Sequence, residues 1–132
     1  MLLRGCGSAI PSRSISNQEL GQRVETSDEW IRSRTGIGAR HVIGLGESLG
    51  EICCQASERA LAMAGWDASS LDLILLATST PDDLFGSAPR LQARLGAENA
   101  VAFDITAACS GFLFALVTAG QYLRTGAMKR VL

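Results

Sequence analysis

The sequence predicts an α/β layered fold: a mixed, mainly parallel sheet with helices on both faces. Two observations carry this. The runs "LDLILLATS" (71–79) and "AVAFDIT" (100–106) are almost continuously apolar, as strands buried on both faces must be. Between and after them lie segments of helical period, and strands alternating with helices at this spacing build parallel sheets.

Along the chain, "LLRGCGSAI" (2–10) reads as β-like, and "AIPSRSISNQEL" (9–20) as a loop entering a short helix. In "TSDEWIRSRTG" (26–36), Thr26 followed by Glu29 has the spacing of a capping box, and Gly36 is a stop. "ARHVIG" (39–44) suits a short strand. "SLGEICCQASERALAMAGW" (48–66) opens on a second capping box, Ser48 to Glu51. Its Leu49, Ile52, Cys53, Ala56, Ala60, Leu61 and Ala64 follow helical spacing, and Gly65 ends it. "SAPRLQARLG" (87–96) is a short helix with Pro89 in its first turn and Gly96 as its stop. A long helix runs from about Cys109 to Arg124, closed by Gly126, and "KRVL" (129–132) begins another strand. Repeats, low-complexity tracts and linkers are absent, and the 132 residues fit one domain. A chain that stops as a central strand begins reads as a fragment of a longer protein.

Composition narrows the function. A hydrophobic fraction of 47% and a net charge of −1 describe a globular chain with no general pull toward nucleic acid or an anionic membrane. The run "GFLFALVTAG" is about half the length that spans a bilayer. Arg4 interrupts the apolar start, so no signal peptide is expected and the default location is cytoplasmic. The four cysteines form no CxxC pair, so neither a zinc site nor a disulfide framework is indicated. Cys6, Cys53 and Cys54 are expected to be small buried hydrophobes.

Cys109 is different. It lies among Ala107, Ala108, Ser110 and Gly111, where a buried strand gives way to a helix. A helix N-terminus favours a thiolate, and small neighbours let a substrate carbonyl approach the sulfur and a backbone N–H together. From position alone, a core filler and a nucleophile both remain open. Trp30 similarly reads either as the packing residue of an amphipathic helix, at i, i+4 from Arg34, or as a stacking platform.

Taken together, "TSDEWIRSRTGI", "ARH", "LLATST", "AFDITAACSGF" and "QYLRTG" resemble β-ketoacyl-ACP synthase III, the initiating condensing enzyme of bacterial type II fatty-acid synthesis. The likeness runs from residue 1 to 132 and covers the N-terminal half of a thiolase-like fold. It implies a cysteine-thioester acyltransferase that condenses an acyl-CoA starter, typically acetyl-CoA, with malonyl-acyl carrier protein. Cys109 is then the nucleophile. Trp30 then stacks on the adenine of coenzyme A with Arg34 on the other face, an indole and a guanidinium sandwiching the purine, and Thr26 lies near the same end. Phe85, in "PDDLFGSAP", reaches across a homodimer to close the partner's acyl pocket, or is an ordinary loop residue. Coenzyme A and carrier-protein thioesters are substrates, so neither a cofactor nor a metal is implied. Arg32, Arg34, Arg40 and His41 make a cationic stretch, suited to phosphates or an acidic carrier, or simply solvated. His41 matches no catalytic position. The family's catalytic His and Asn are expected downstream of Leu132. "GLGESLG" lacks GxGxxG spacing, so no dinucleotide site is expected. Two rivals stand beside this reading: another condensing branch, such as a secondary-metabolite starter synthase or one like hydroxymethylglutaryl-CoA synthase, and a catalytically incompetent binding module.

Overall fold

The computed structural model describes residues 1–132, which group into two compact units, residues 10–47 and residues 1–9 with 48–132. The smaller unit runs β1 (Arg13–Ser16), α1 (Asn17–Gly21), α2 (Asp28–Thr35) and β2 (Ala39–Val42). The two strands pair antiparallel, Arg13 opposite Val42 and Ser16 opposite Ala39. The turn after β2 is pinned by Glu47, whose carboxylate accepts from the N–H groups of Gly44 and Ser12, each at 2.9 Å. Those bonds hold its pKa below the ordinary value.

The larger unit runs α3 (Leu49–Ala64), β3 (Leu73–Ala77), α4 (Ala88–Leu95), β4 (Val101–Ile105) and α5 (Gly111–Thr125). β3 and β4 pair in parallel, Leu73 against Val101 through Ala77 against Ile105, and Val131 adds a parallel bridge to Leu73 on the other side. The "KRVL" expectation therefore holds. Asp72 fixes that added segment: its Oδ2 accepts from the N–H groups of Lys129 and Arg130 at 2.7 and 2.9 Å. Alternate residues of β3 face opposite ways. Ile74 joins Leu61, Leu71, Leu91, Ala97 and Ala100 in the core under α3 and α4. Ala77 faces α5, where a Cβ on Gly111 would stand 3.2 Å from its own Cβ. Helices thus cover both faces. Burying leucines and isoleucines of this kind stabilises by about 2 kcal/mol each.

Helix ends obey the sequence closely. Ser48 and Glu51 form the reciprocal capping box, and Gly36, Gly65, Gly96 and Gly126 close their helices in the left-handed conformation.

Several expectations need correction. Residues 2–10 form no strand; Gly5 and Gly7 instead press against α3, where added Cβ atoms would stand 2.3 Å from the Ala60 carbonyl oxygen and 2.0 Å from that of Ala56. The stretch ahead of α1 is strand β1 rather than loop, because pairing with β2 supplies the partners its polar sequence does not advertise. The N-cap of α2 is Ser27, whose Oγ accepts from Trp30 N–H at 3.1 Å, not Thr26. With Trp30 at the third helical position, Glu29 cannot complete a capping box. β3 and β4 are less enclosed than continuous runs imply: Ala77 and Val101 are exposed. Cys6 is exposed rather than buried, while Cys53 and Cys54 pack against the core.

Candidate active site

β4 ends at Ile105, and the chain turns through Thr106 and Ala107 into a single 3-10 turn, Ala108–Ser110, before α5 begins at Gly111. Cys109 sits in the middle of that turn, two residues ahead of the helix, where the sequence suggested the helix's own first turn. Ala108 has φ +44°, the only non-glycine residue with positive φ. A Cβ in that region costs roughly 1–2 kcal/mol, so the turn is held against its own preference by its surroundings. Two contacts do the holding. Gly111 brings the start of α5 onto Ala77, and the Thr106 hydroxyl donates to the Thr78 carbonyl at 3.0 Å. The outcome is an exposed thiol at the N-terminal end of a 15-residue helix whose first turn has no side-chain cap. Uncapped N–H groups and the positive end of the helix dipole favour developing negative charge there.

The other thiols lack this setting. Burial, then the charges of Asp82 and Asp104, push the Cys53 thiol pKa up. Burial and the Glu58 carboxylate do the same for Cys54. Both stay protonated and unreactive near neutrality.

Phe85 lies in the loop after β3. Since β3 and β4 are parallel neighbours, this loop and the Cys109 turn share the C-terminal edge of the sheet, the usual ligand edge of an α/β layer. The loop is ordered from below by Asp104, a lone acid within the apolar β4 run. Its Oδ2 accepts from Ser87 N–H at 2.8 Å and its Oδ1 from Ala88 N–H at 2.7 Å. Asp83 caps Phe85 N–H and pairs with Arg90, both through its own carboxylate. Phe85 itself is 88% exposed. Asp104 went unnoticed in the sequence, although a charge inside a buried strand is the signal that marks it.

Thr26, Trp30 and Arg34 belong to the smaller unit. Trp30 is 54% exposed on α2, and the Arg34 guanidinium lies over its ring, 4.5 Å from the centroid. That distance is direct contact, so the pair stands stacked rather than forming an empty slot. Thr26 is half-buried immediately before the cap of α2. The expected cationic stretch is largely engaged: Arg32 Nε meets Asp28 at 2.9 Å, and Arg40 bonds to Asn17 and to the Ile15 carbonyl. His41 Nδ1 lies 2.7 Å from the Pro11 carbonyl, which can only accept, so Nδ1 carries the proton and the ring is tied down.

The profile of the 3-oxoacyl-[acyl-carrier-protein] synthase III family matches residues 103–132, the stretch that holds the strained turn and Cys109. A β-ketoacyl-[acyl-carrier-protein] synthase III of Prochlorococcus marinus strain MIT 9313 is 72% identical over 98% of the chain. The corresponding protein of Microcystis aeruginosa is 58% identical over the whole chain. Over nearly all of its length this chain is similar to synthase III proteins. It spans 38% and 40% of the lengths of those two relatives. The crystal structure of the Aquifex aeolicus synthase III superposes with a TM-score of 0.92 at 42% identity, covering 97% of this chain and 42% of that one. The priming β-ketosynthase of the R1128 polyketide pathway gives 0.88 at 36% identity, covering 96% and 38%. The fold of this chain is accordingly thiolase-like, as the sequence suggested.

Proposed function

We propose that the chain contributes the nucleophile half of a β-ketoacyl-ACP synthase III, which condenses an acyl-CoA starter, typically acetyl-CoA, with malonyl-acyl carrier protein. The observation that carries this reading is the Ala108 strain, which presents an exposed Cys109 at an uncapped helix start. In the first half-reaction the Cys109 thiolate attacks the acyl carbonyl, backbone N–H groups of the turn stabilise the oxyanion, and coenzyme A leaves as its thiolate. In the second, malonyl-acyl carrier protein loses CO2 and its carbanion attacks the Cys109 thioester carbonyl. This gives 3-ketoacyl-acyl carrier protein and restores the thiolate. A thioester suits both steps because its carbonyl is more electrophilic than that of a serine ester. His41, the one histidine, is committed to Pro11 and has no part in the decarboxylation.

Trp30 and Arg34 receive the adenine of the coenzyme, with Thr26 close to the same end of α2. Phe85 serves a homodimer, its exposed ring entering the acyl pocket of the second protomer. No cofactor or metal takes part, and the enzyme works in the cytoplasm; no helix is long and apolar enough to cross a membrane. The test is to incubate protein of the relatives' length, carrying these residues, with acetyl-CoA and map the acyl group by mass spectrometry. Acetyl on Cys109, and none on Cys6, Cys53 or Cys54, is expected. Acetyl on another cysteine with Cys109 unmodified overturns the assignment.

A further inference from the structure

Asn17 is a fully buried polar side chain, 0% exposed, at the start of α1. Its Nδ2 donates to Asp28 Oδ1 at 2.8 Å and to the Ile37 carbonyl at 2.7 Å, and its Oδ1 accepts from Arg40 Nη2 at 2.6 Å. Its backbone N–H donates to the Gly38 carbonyl at 3.2 Å. The placement of these partners is what matters. Asp28 is the first residue of α2, while Ile37 and Gly38 follow directly on its closing glycine, Gly36. One carboxamide therefore grips an eight-residue helix at its first residue and just beyond its last, and ties it to β2 through Arg40. Asp28 in turn accepts from Arg32 Nε on the next turn, so the grip continues along the helix.

A short helix held at only one end can roll about its axis, and successive residues lie about 100° apart around that axis. A modest roll would therefore swing Trp30 and Arg34 away from whatever they stack on. We infer that Asn17 is a positioning residue for the coenzyme: it fixes the roll of α2 and thereby the direction of the Trp30–Arg34 stack. This deepens the preceding proposal and rests on its reading of Trp30 as the nucleotide platform. Asn17 itself touches no substrate. Its effect is confined to thioesters that carry the nucleotide.

The test compares two acyl donors in protein of the relatives' length: acetyl-CoA, and S-acetyl-N-acetylcysteamine, which has the thioester but no nucleotide. Asn17→Asp keeps the shape, removes both Nδ2 donors and sets a carboxylate against Asp28. Misplacing a binding group in this way is expected to raise the Michaelis constant for acetyl-CoA about tenfold. Acylation of Cys109 by the nucleotide-free donor should stay within about twofold of the parent, since α2 makes no contact with it. Asp28→Ala removes the acceptor instead of the donor; it should show the same split, and it decides the matter if Asn17→Asp does not fold. Equal loss with both donors means a merely structural residue and overturns the inference. Trp30→Ala runs alongside. If it raises the constant for acetyl-CoA while Asn17→Asp and Asp28→Ala do not, the inference falls and the platform stands. If Trp30→Ala leaves the constant unchanged, the platform reading fails and takes the inference with it.

Discussion

The cysteine turn and the tryptophan helix solve the same problem, holding one side chain in place, by opposite means. At the turn the backbone carries the constraint. Ala108 sits in a conformation alanine avoids, Gly111 lets α5 close onto Ala77, and the side chains around Cys109 are too small to direct it. At the platform the backbone of α2 is ordinary and polar side chains carry the constraint, through Asn17, Asp28 and Arg40. The difference suits the chemistry assigned to each. A nucleophile must be open to a carbonyl and to backbone N–H groups at once, so bulky polar partners would obstruct it. A stacking surface needs one open face only, and can be gripped from behind.

The comparison makes a ranked set of predictions. The largest effect belongs to Cys109→Ser, which should lower acyl transfer from acetyl-CoA by at least about a hundredfold, because a hydroxyl at its ordinary pKa lacks the thiolate's nucleophilicity. Single-turnover release of coenzyme A measures this, and a variant retaining half the parent rate would remove the turn from the mechanism. Ala108 comes next. Ala108→Val should destabilise by about 1–3 kcal/mol in urea unfolding, since a β-branched residue tolerates positive φ poorly. Ala108→Gly should match or exceed the parent stability, because glycine adopts this conformation freely. A valine variant as stable as the parent would show that the backbone is not the constraint. Trp30→Ala should cost about 1–3 kcal/mol in coenzyme binding, read as the Michaelis constant for acetyl-CoA, by analogy with bases stacked on aromatic rings.

The smallest effect is a pH dependence of α2. The Asn17 hydrogen bond, opposed by burial and aided by Arg32, holds the Asp28 pKa below its ordinary 3.8. A depressed carboxylate contributes stability that is fully present above the unfolded value and is lost as pH falls through the folded one. Amide protection in α2 should therefore weaken below about pH 4 relative to that in α5, and Asp28→Asn should remove the difference. Equal acid sensitivity in the two helices would mean the platform does not depend on this carboxylate.

The sequence was informative in proportion to how local the deciding physics is. Helices α3, α4 and α5 and their closing glycines were legible because periodicity and capping are written within a few residues. So was the parallel pair β3–β4, because only a buried strand needs so unbroken an apolar run. β1 was not, since "RSIS" becomes a strand only through its distant partner. Thr26 and Ser27 are both competent caps, and the choice between them depends on where Asp28 meets Asn17, which the sequence does not say. At the site, the position of Cys109 at a strand-to-helix change was readable from small residues and pattern, and the family resemblance suggested the role proposed for it. The strain at Ala108 was hidden because alanine gives no hint of positive φ. Asn17 was hidden too, as its importance comes entirely from partners beyond its own helix.

The close seat of Gly5 and Gly7 on α3 also bears on the order in which the chain can fold during synthesis. Residues 1–9 emerge from the ribosome before their partners do. Their contacts, including the Arg59 side chain bonded to the Ser8 carbonyl and the Cys6 N–H pointing to the Met63 sulfur, await the completion of α3. Residues 10–47, by contrast, are continuous, and their strand pair and Asn17 bonds use nothing made later. Vectorial synthesis therefore lets the strand pair and the Asn17 bonds of residues 10–47 close first, while residues 1–9 stay unpaired until α3 is complete at Ala64.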